Sequence, residues 1–202
     1  MAAEHYFSST PDGDFRPRRI AVRLGGRDLE VTTAGGVFSP GHVDLGTRVL
    51  LDAVPDAPET GDVLDLGCGW GPVALTLALE SPSARVWAVD VNQRALELVR
   101  RNCGELGVTN VNAVVPDDVP DDVRFRTIWS NPPIRVGKVE LHGLLERWLP
   151  RLETGSDAWL VVQRNLGSDS LQSWLETTFE GRLAVERASS AKGFRVLRTT
   201  AI

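Results

Sequence analysis

From residue 63 onward, short apolar segments alternate with segments of helical periodicity, and this alternation restricts the fold more than any other feature of the sequence. Strands that alternate with helices form a mostly parallel sheet covered on both faces. The last two strands have no helix between them, so we expect an antiparallel hairpin at one edge of a seven-stranded sheet. The predicted strands are 63–66, 85–90, 111–115, 125–130, 158–163, 183–187 and 194–198, and the predicted helices are 72–80, 92–106, 139–149 and 168–178.

The first 41 residues follow a different pattern. Two β-prone segments, 20–24 and 29–33, flank Gly25-Gly26-Arg27-Asp28 and predict a hairpin. A polar arm precedes them, and a further helix is predicted over 43–54. We therefore expect an N-terminal arm and β-hairpin over 1–41, followed by one α/β domain over 42–202.

Composition and charge narrow the functional classes. The net charge of −5 argues against a strongly basic nucleic-acid binder, but residues 131–202 carry ten basic and eight acidic residues, so a local basic face is compatible with the total. Cys68 and Cys103 lack the spacing of metal ligands, and the N-terminus lacks the apolar stretch of a signal peptide. No segment is apolar for long enough to span a bilayer. We expect a cytoplasmic protein with free thiols, no metal and no membrane contact.

A glycine-rich loop follows the first alternating strand, where residues 65–72 read DLGCGWGP. Ligands of such sheets bind beyond the carboxyl ends of the strands, and Asp90, at the end of the next strand, can accept hydrogen bonds from ribose hydroxyls. The loop has G-x-G-x-G spacing, whereas dinucleotide dehydrogenases have G-x-G-x-x-G. Asp65 would repel a phosphate but suits an ammonium group. The pattern indicates a ligand with a ribose and a cationic end, which S-adenosylmethionine (SAM) fits, while a purely structural glycine turn is the alternative.

The fourth strand of the alternation ends in Ser130-Asn131-Pro132-Pro133-Ile134. Two prolines fix the backbone and offer no N–H, so we expect the amide oxygen of Asn131 and the carbonyl of Pro132 to face the cleft as acceptors. Two convergent acceptors suit a planar NH₂ group and can aim its nitrogen at a methyl sulfonium. We predict Asn131, Pro132 and Pro133 as the catalytic element, with a simple Pro-Pro turn as the alternative.

Together these motifs resemble class I SAM-dependent methyltransferases and, more narrowly, the 16S ribosomal RNA guanine-N2 methyltransferase (RsmC-like) family in a short single-domain form. The resemblance implies a Rossmann-like class I methyltransferase fold, SAM as cofactor, and transfer of a methyl group to guanine N2 in small-subunit ribosomal RNA, which makes RNA the partner. It rests on His5-Tyr-Phe7, Gly36-Val-Phe-Ser39, Asp44-x-Gly46-Thr47, Asp65–Gly71, Asp90, Asn131–Lys138, His142 and Lys192–Arg195.

The resemblance also implies roles for individual residues. The methionine part of SAM would be held by Asp65, Gly67 and Gly69. Asp90 would bind the ribose hydroxyls, and Val91 would also contact the cofactor. Asp117 would lie near the adenine amino group, and the pocket would be closed from the N-terminal side by Phe38, Asp44 and Gly46.

Residues just past Asn131 are expected to contact the substrate. Ile134 would touch the base, and Arg135 and Lys138 would pair with RNA phosphates, unless they form an ordinary solvated helix start. Lys192 and Arg195 would extend the same basic rim, unless they are ordinary hairpin charges.

Two features depart from the family pattern. Longer members carry a second methyltransferase-like domain for RNA, and many enzymes with an N-P-P element have Tyr or Phe where this chain has Ile134. An aromatic there would stack on the base, which is worth ~1–3 kcal/mol. The alternatives are a protein glutamine methyltransferase, a DNA adenine methyltransferase and an inactive SAM-fold module that acts as an RNA or assembly partner. The sequence predicts no oligomeric state.

Overall fold

The computed structural model describes residues 15–202, apart from the side chain of Arg135, and contains a hairpin and a seven-stranded sheet. The His5–Phe7 motif lies outside the described residues. The strands are β1 (Arg18–Leu24), β2 (Arg27–Thr33), β3 (Thr60–Leu66), β4 (Ser83–Val89), β5 (Val111–Val114), β6 (Phe125–Ser130), β7 (Leu152–Gln163), β8 (Leu183–Ala191) and β9 (Phe194–Ala201). The helices are α1 (Leu45–Leu51), α2 (Pro72–Glu80), α3 (Gln93–Leu106), α4 (Lys138–Trp148) and α5 (Ser168–Thr178).

The large sheet has the strand order β5-β4-β3-β6-β7-β9-β8. Strands β3 to β7 are parallel, and β9 lies antiparallel to both β7 and β8. The predicted Rossmann-like sheet with an antiparallel edge hairpin is therefore confirmed. The chain leaves β3 toward β4 and later returns to the other side of β3 as β6, so a topological switch point lies between β3 and β6, where Leu66 pairs with Ser130.

Alternating strand residues build two apolar layers around the sheet. In β3, Val63 packs with α2 and α3 on one face, and Leu64 packs with α4 and α5 on the other face. Both side chains are fully buried. Burial of one such aliphatic side chain stabilises a fold by about 1.5–3 kcal/mol, which holds the strand ends in fixed positions.

Several predicted boundaries are wrong for physical reasons. Helix α1 begins at Leu45 rather than 43 because Asp44 is its N-cap and accepts from Gly46 N and Thr47 N. The hairpin turn contains only Gly25-Gly26, since Leu24 already pairs with Arg27. Strand β7 begins six residues earlier than predicted.

The hairpin packs against α3 through a buried asparagine. Asn102 Oδ1 accepts from Thr32 N at 2.7 Å, and its Nδ2 donates to Thr32 O at 3.0 Å and to Trp70 O at 3.2 Å. One side chain thereby satisfies backbone groups of the hairpin and of the glycine-rich loop. The hairpin and the glycine-rich loop are therefore both anchored to α3 by the side chain of Asn102.

The helices within residues 15–202 are short, and none is long and apolar enough to cross a membrane. In the same part of the chain, no group of three or more His, Cys, Asp and Glu side chains is arranged to hold a metal ion. Cys68 and Cys103 are buried free thiols.

Candidate active site

The glycine-rich loop turns back over the neighbouring strand as it leaves β3. Gly67 N and Cys68 N both donate to Val89 O, at 2.8 and 3.0 Å. Gly69 has a φ of +54°, a conformation that favours glycine. A Cβ at Gly69 would meet no atom within 4 Å, and one at Gly67 would lie 4.0 Å from Pro133 Cδ. The loop therefore faces open space beside the Asn-Pro-Pro element.

A cleft opens between this loop, the end of β6 and the segment before α1. Six predicted site residues line it together, although they come from distant parts of the chain. They are Phe38, Asp44, Asp65, Gly67, Gly69 and Asn131.

Asp65 places a buried carboxyl group in this cleft. Only 2% of the residue is exposed, and its Oδ2 accepts from Ala74 N, in the first turn of α2, at 2.8 Å. Burial raises the pKa of Asp65 to about 8, and the nearby charge of Asp90 acts in the same direction. A cationic group in the cleft would favour the ionised carboxylate, because an opposite charge lowers the pKa of an acid.

Asp90 lies directly behind the glycine-rich loop. Its Oδ2 accepts from Gly69 N and its Oδ1 from Asn92 N, both at 2.9 Å. Burial raises the pKa of Asp90, although these backbone donors act against the shift. Each carboxylate oxygen can accept more than one hydrogen bond, so both retain capacity for a ligand hydroxyl. Val91, next to it, is 43% exposed and offers an apolar surface.

Asp117 lies on the short 3₁₀ turn Pro116–Asp118 after β5 and does not line the cleft. Its side chain is 87% exposed, and its Oδ1 accepts from Arg147 Nη1 of α4 at 2.8 Å. Exposed ion pairs contribute about 0–1 kcal/mol to stability, so Asp117 could leave Arg147 and bind another partner at little cost in free energy. The predicted contact of Asp117 with adenine stays a prediction.

Asn131 is anchored to the N-terminus of α1. Its Nδ2 donates to Asp44 Oδ2 at 3.0 Å and to Thr47 Oγ1 at 3.1 Å. These partners lie 87 and 84 residues away in the sequence, so no motif spacing could indicate them.

The backbone after Asn131 turns tightly. Pro133 has φ −74° and ψ 76°, and Ile134 N donates to Pro132 O at 2.8 Å, which is an inverse γ-turn. The sequence predicted a free carbonyl at Pro132, whereas one of its two lone pairs is engaged by this turn. The other lone pair remains as an acceptor.

Phe38 and Gly46 occupy different positions around the cleft. Phe38 is 47% exposed at its rim, and the adjacent Ser39 O accepts from Trp70 Nε1 at 3.2 Å. Gly46 does not line the cleft: a Cβ there would lie 2.8 Å from Phe194 Cε1. Gly46 thus allows close packing of α1 against the start of β9. Phe194 lies in the Lys192–Arg195 motif, but no local sequence pattern indicates its contact with Gly46.

The predicted basic rim is only partly exposed. Lys138 is exposed at the start of α4, and its Nζ lies 3.4 Å from Ser170 Oγ, whereas the side chain of Arg135 lies outside the described part of the chain. Lys192 is exposed in the turn between β8 and β9. Arg195 is only 7% exposed and pairs with Asp169, so it packs inside the fold and the expectation of a rim residue is wrong for it.

Comparisons with known proteins agree with this geometry. The sequence profile of the Methyltransferase small domain family matches residues 28–198. The chain is 34% identical over 199 residues to the uncharacterised protein YbxB of Bacillus subtilis, covering 97% of this chain and 98% of that protein. It is 41% identical over 114 residues to ribosomal RNA small subunit methyltransferase C of Hamiltonella defensa, covering 55% of this chain and 33% of the relative.

A solved structure shares most of the fold. It is the T. thermophilus 16S rRNA N2 G1207 methyltransferase (RsmC) in complex with AdoMet and guanosine, with a TM-score of 0.81 and 25% identity. The match covers 95% of this chain and 52% of that one, so the chain spans about half of the Thermus enzyme and a third of the Hamiltonella relative. The fold, the glycine-rich loop and the profile match lead to one conclusion: the chain belongs to the Methyltransferase small domain family.

Proposed function

We propose that this protein transfers the methyl group of SAM to an exocyclic amine of a nucleobase, with guanine N2 of small-subunit ribosomal RNA as the target. The observation that carries the proposal is that Asp65 and the glycine-rich loop share one cleft with Asn131. A ligand held at the loop and an amine held at Asn131 would therefore meet in that cleft. The likeness to ribosomal RNA methyltransferases, one of them bound to AdoMet and guanosine, supports the same choice.

The residues present fit SAM as the cofactor. When bound, SAM supplies a transferable methyl group on a positively charged sulfur. Asp65 provides a buried carboxyl group for a cationic end, Asp90 retains acceptor capacity for ribose hydroxyls, and the open space at Gly69 leaves room for a ligand against the backbone.

The clamp for the target amine consists of acceptors. Asn131 Oδ1 and the remaining lone pair of Pro132 O would accept the two protons of the amine, which fixes the direction of its nitrogen. Positive charge develops on that nitrogen as the methyl group is transferred, and fixed acceptor oxygens stabilise this charge. The proton can then leave to solvent, because a positively charged amine conjugated to the ring is acidic. No strong general base is required.

Asp90→Ala is expected to weaken SAM binding at least about tenfold, since it removes a charge-assisted acceptor worth about 1.5–3 kcal/mol. Titration calorimetry measures the affinity, and thermal unfolding of the same sample checks the fold. Asp121→Ala is the comparison, because Asp121 is exposed in the turn before β6 and does not line the cleft. SAM affinity that is unchanged in Asp90→Ala would remove Asp90 from the cofactor site.

Charge reversal at the two lysines tests the RNA surface. Lys138→Glu with Lys192→Glu is expected to weaken RNA binding and to lower the slope of log K against log salt by about 0.7–0.9 for each lost phosphate contact. Arg126→Glu is the matched control, because Arg126 is exposed near the amino end of β6, away from the cleft. If the double variant, the control and the wild type have the same slope of log K against log salt, neither lysine contacts an RNA phosphate and both are ordinary surface charges.

Nucleoside mass spectrometry tests the reaction itself. Small-subunit ribosomal RNA from a host lacking the gene is incubated with the protein and SAM, both as naked RNA and as assembled subunits. We expect N2-methylguanosine as the product. Parallel incubations of the protein and labelled SAM with cellular protein or DNA test the alternatives: methylated glutamine or methylated adenine would select one of the other methyltransferases, and no transfer to any substrate would select the inactive module.

A further inference from the structure

The side chain of Asn131 is held by two residues that are themselves fixed in the fold. Its Nδ2 donates to Asp44 Oδ2 at 3.0 Å and to Thr47 Oγ1 at 3.1 Å. A primary amide nitrogen has two protons, and two acceptors use both of them. Thr47 is 4% exposed, so solvent does not compete strongly for its hydroxyl.

The chemistry of Asp44 decides which end of the amide faces it. An ionised carboxylate only accepts hydrogen bonds. If the amide of Asn131 turned over, Oδ1 would face Asp44 Oδ2, and two acceptors would oppose each other. A hydroxyl such as that of Thr47 can donate or accept and would tolerate either orientation. Asp44 therefore determines the orientation, and Thr47 adds the second hydrogen bond.

Asp44 is held in turn by the start of α1. The same Oδ2 accepts from Gly46 N at 2.7 Å and from Thr47 N at 3.3 Å as the N-cap. Gly46 lies against Phe194, and α1 packs on β7 and β9. The acceptor that orients Asn131 is thus fixed by the core of the domain and not by a mobile surface side chain.

We propose that Asp44 and Thr47 are positioning residues that keep the amide oxygen of Asn131, and not its NH₂ group, available to the target amine. This inference rests on the proposed function, since it assigns how the amine clamp is oriented. With the amide turned over, two NH₂ groups would face each other and the target nitrogen would not be held. The role of Asp44 is then to act through Asn131 rather than to close the cofactor pocket.

Two substitutions at Asp44 separate orientation from capping. Asp44→Ser keeps a good N-cap but shortens the side chain, so it loses the contact with Asn131. Asp44→Asn keeps the cap and the reach, because the N–H groups of Gly46 and Thr47 select its amide oxygen. We expect Asp44→Ser to lower kcat about ten- to a hundredfold, with SAM affinity and Tm close to wild type, and Asp44→Asn to restore most of kcat.

A second matched pair tests Thr47. Thr47→Val has the same shape without the hydroxyl, and Thr47→Ser retains it. We expect a lower kcat in Thr47→Val than in Thr47→Ser, at unchanged affinity for SAM. The inference is overturned if Asp44→Ser and Thr47→Val are both fully active. It is also overturned if every loss of kcat is accompanied by weaker SAM binding or a lower Tm, because the two residues would then have a structural role only.

An NMR measurement separates this inference from the proposed function. We expect the side-chain NH₂ protons of Asn131 to exchange slowly with water in the wild type and in Asp44→Asn, and quickly in Asp44→Ser, whether or not any RNA is methylated. Slow exchange without RNA methylation would contradict the proposed substrate alone. Fast exchange in the wild type would contradict the positioning role alone.

Discussion

Asn131→Ala is expected to lower kcat for methyl transfer by about 10²- to 10³-fold, the typical loss on removal of one preorganised group at a reacting centre. SAM affinity is expected to stay near the wild-type value, because the lost oxygen serves the amine and not the cofactor. Single-turnover transfer of a labelled methyl group measures the first quantity, and titration calorimetry measures the second.

Asn165→Ala is the matched control for this experiment. Asn165 is an exposed asparagine just after β7, at the same edge of the sheet as Asn131. It should leave both kcat and SAM affinity unchanged. If Asn131→Ala is as active as this control, Asn131 does not hold the target amine and the catalytic assignment is wrong.

Elements with strong local signals were predicted with their observed bounds. Helices α2 and α5 and strand β6 match, because a continuous apolar run or apolar periodicity, together with nearby breakers, defines such segments locally. The first half of β7 carries mostly polar residues and no such signal. Pairing with neighbouring strands places it in the sheet: Leu152 pairs with Phe125 of β6, and Asp157 pairs with Thr200 of β9 and accepts from Thr200 Oγ1.

The candidate site shows the same division between local and long-range information. The glycine-rich loop and the Asn-Pro-Pro element are local motifs, and the structure brings them to one cleft because β3 and β6 are neighbours. The anchor of Asn131 on Asp44 could not be predicted, since it joins segments far apart in the chain. Arg195 was misplaced for a related reason: it is buried and pairs with Asp169 of α5, a contact between distant segments that no local pattern reveals.

Asp65→Asn is expected to change stability and cofactor binding in opposite directions. The pKa of Asp65 is about 8 in the folded protein against an ordinary value of 3.8, so the folded state binds its proton more strongly than the unfolded state does. The protonated Asp65 carboxyl therefore makes its full contribution to the free energy of unfolding below about pH 4. This contribution is lost as the pH rises toward 8, and the free energy of unfolding falls by up to about 1.4 kcal/mol per pH unit. Asparagine does not titrate in this pH range, so Asp65→Asn removes this pH dependence of the free energy of unfolding.

At pH 8 we therefore expect Asp65→Asn to have a higher Tm than the wild type, by about 2–4 °C for each kcal/mol regained. The same variant should bind SAM more weakly, since it lacks the negative charge that a cationic ligand favours. In the wild type, SAM binding near pH 7 should release a proton, which calorimetry in two buffers of different ionisation enthalpy detects. The variant should release none from this position.

Asp62, on the same strand, provides a control of opposite sign. Burial acts to raise the pKa of Asp62, but hydrogen bonds from Arg85 and Trp87 outweigh it and lower the pKa. Its contribution to stability is therefore present above about pH 4 and is lost on acidification, so Asp62→Asn should lower the Tm at pH 8. If the wild-type Tm does not fall between pH 6 and pH 8, or if Asp65→Asn destabilises at pH 8 as Asp62→Asn does, the Asp65 carboxyl is not held protonated by burial and its charge is not reserved for a cationic ligand.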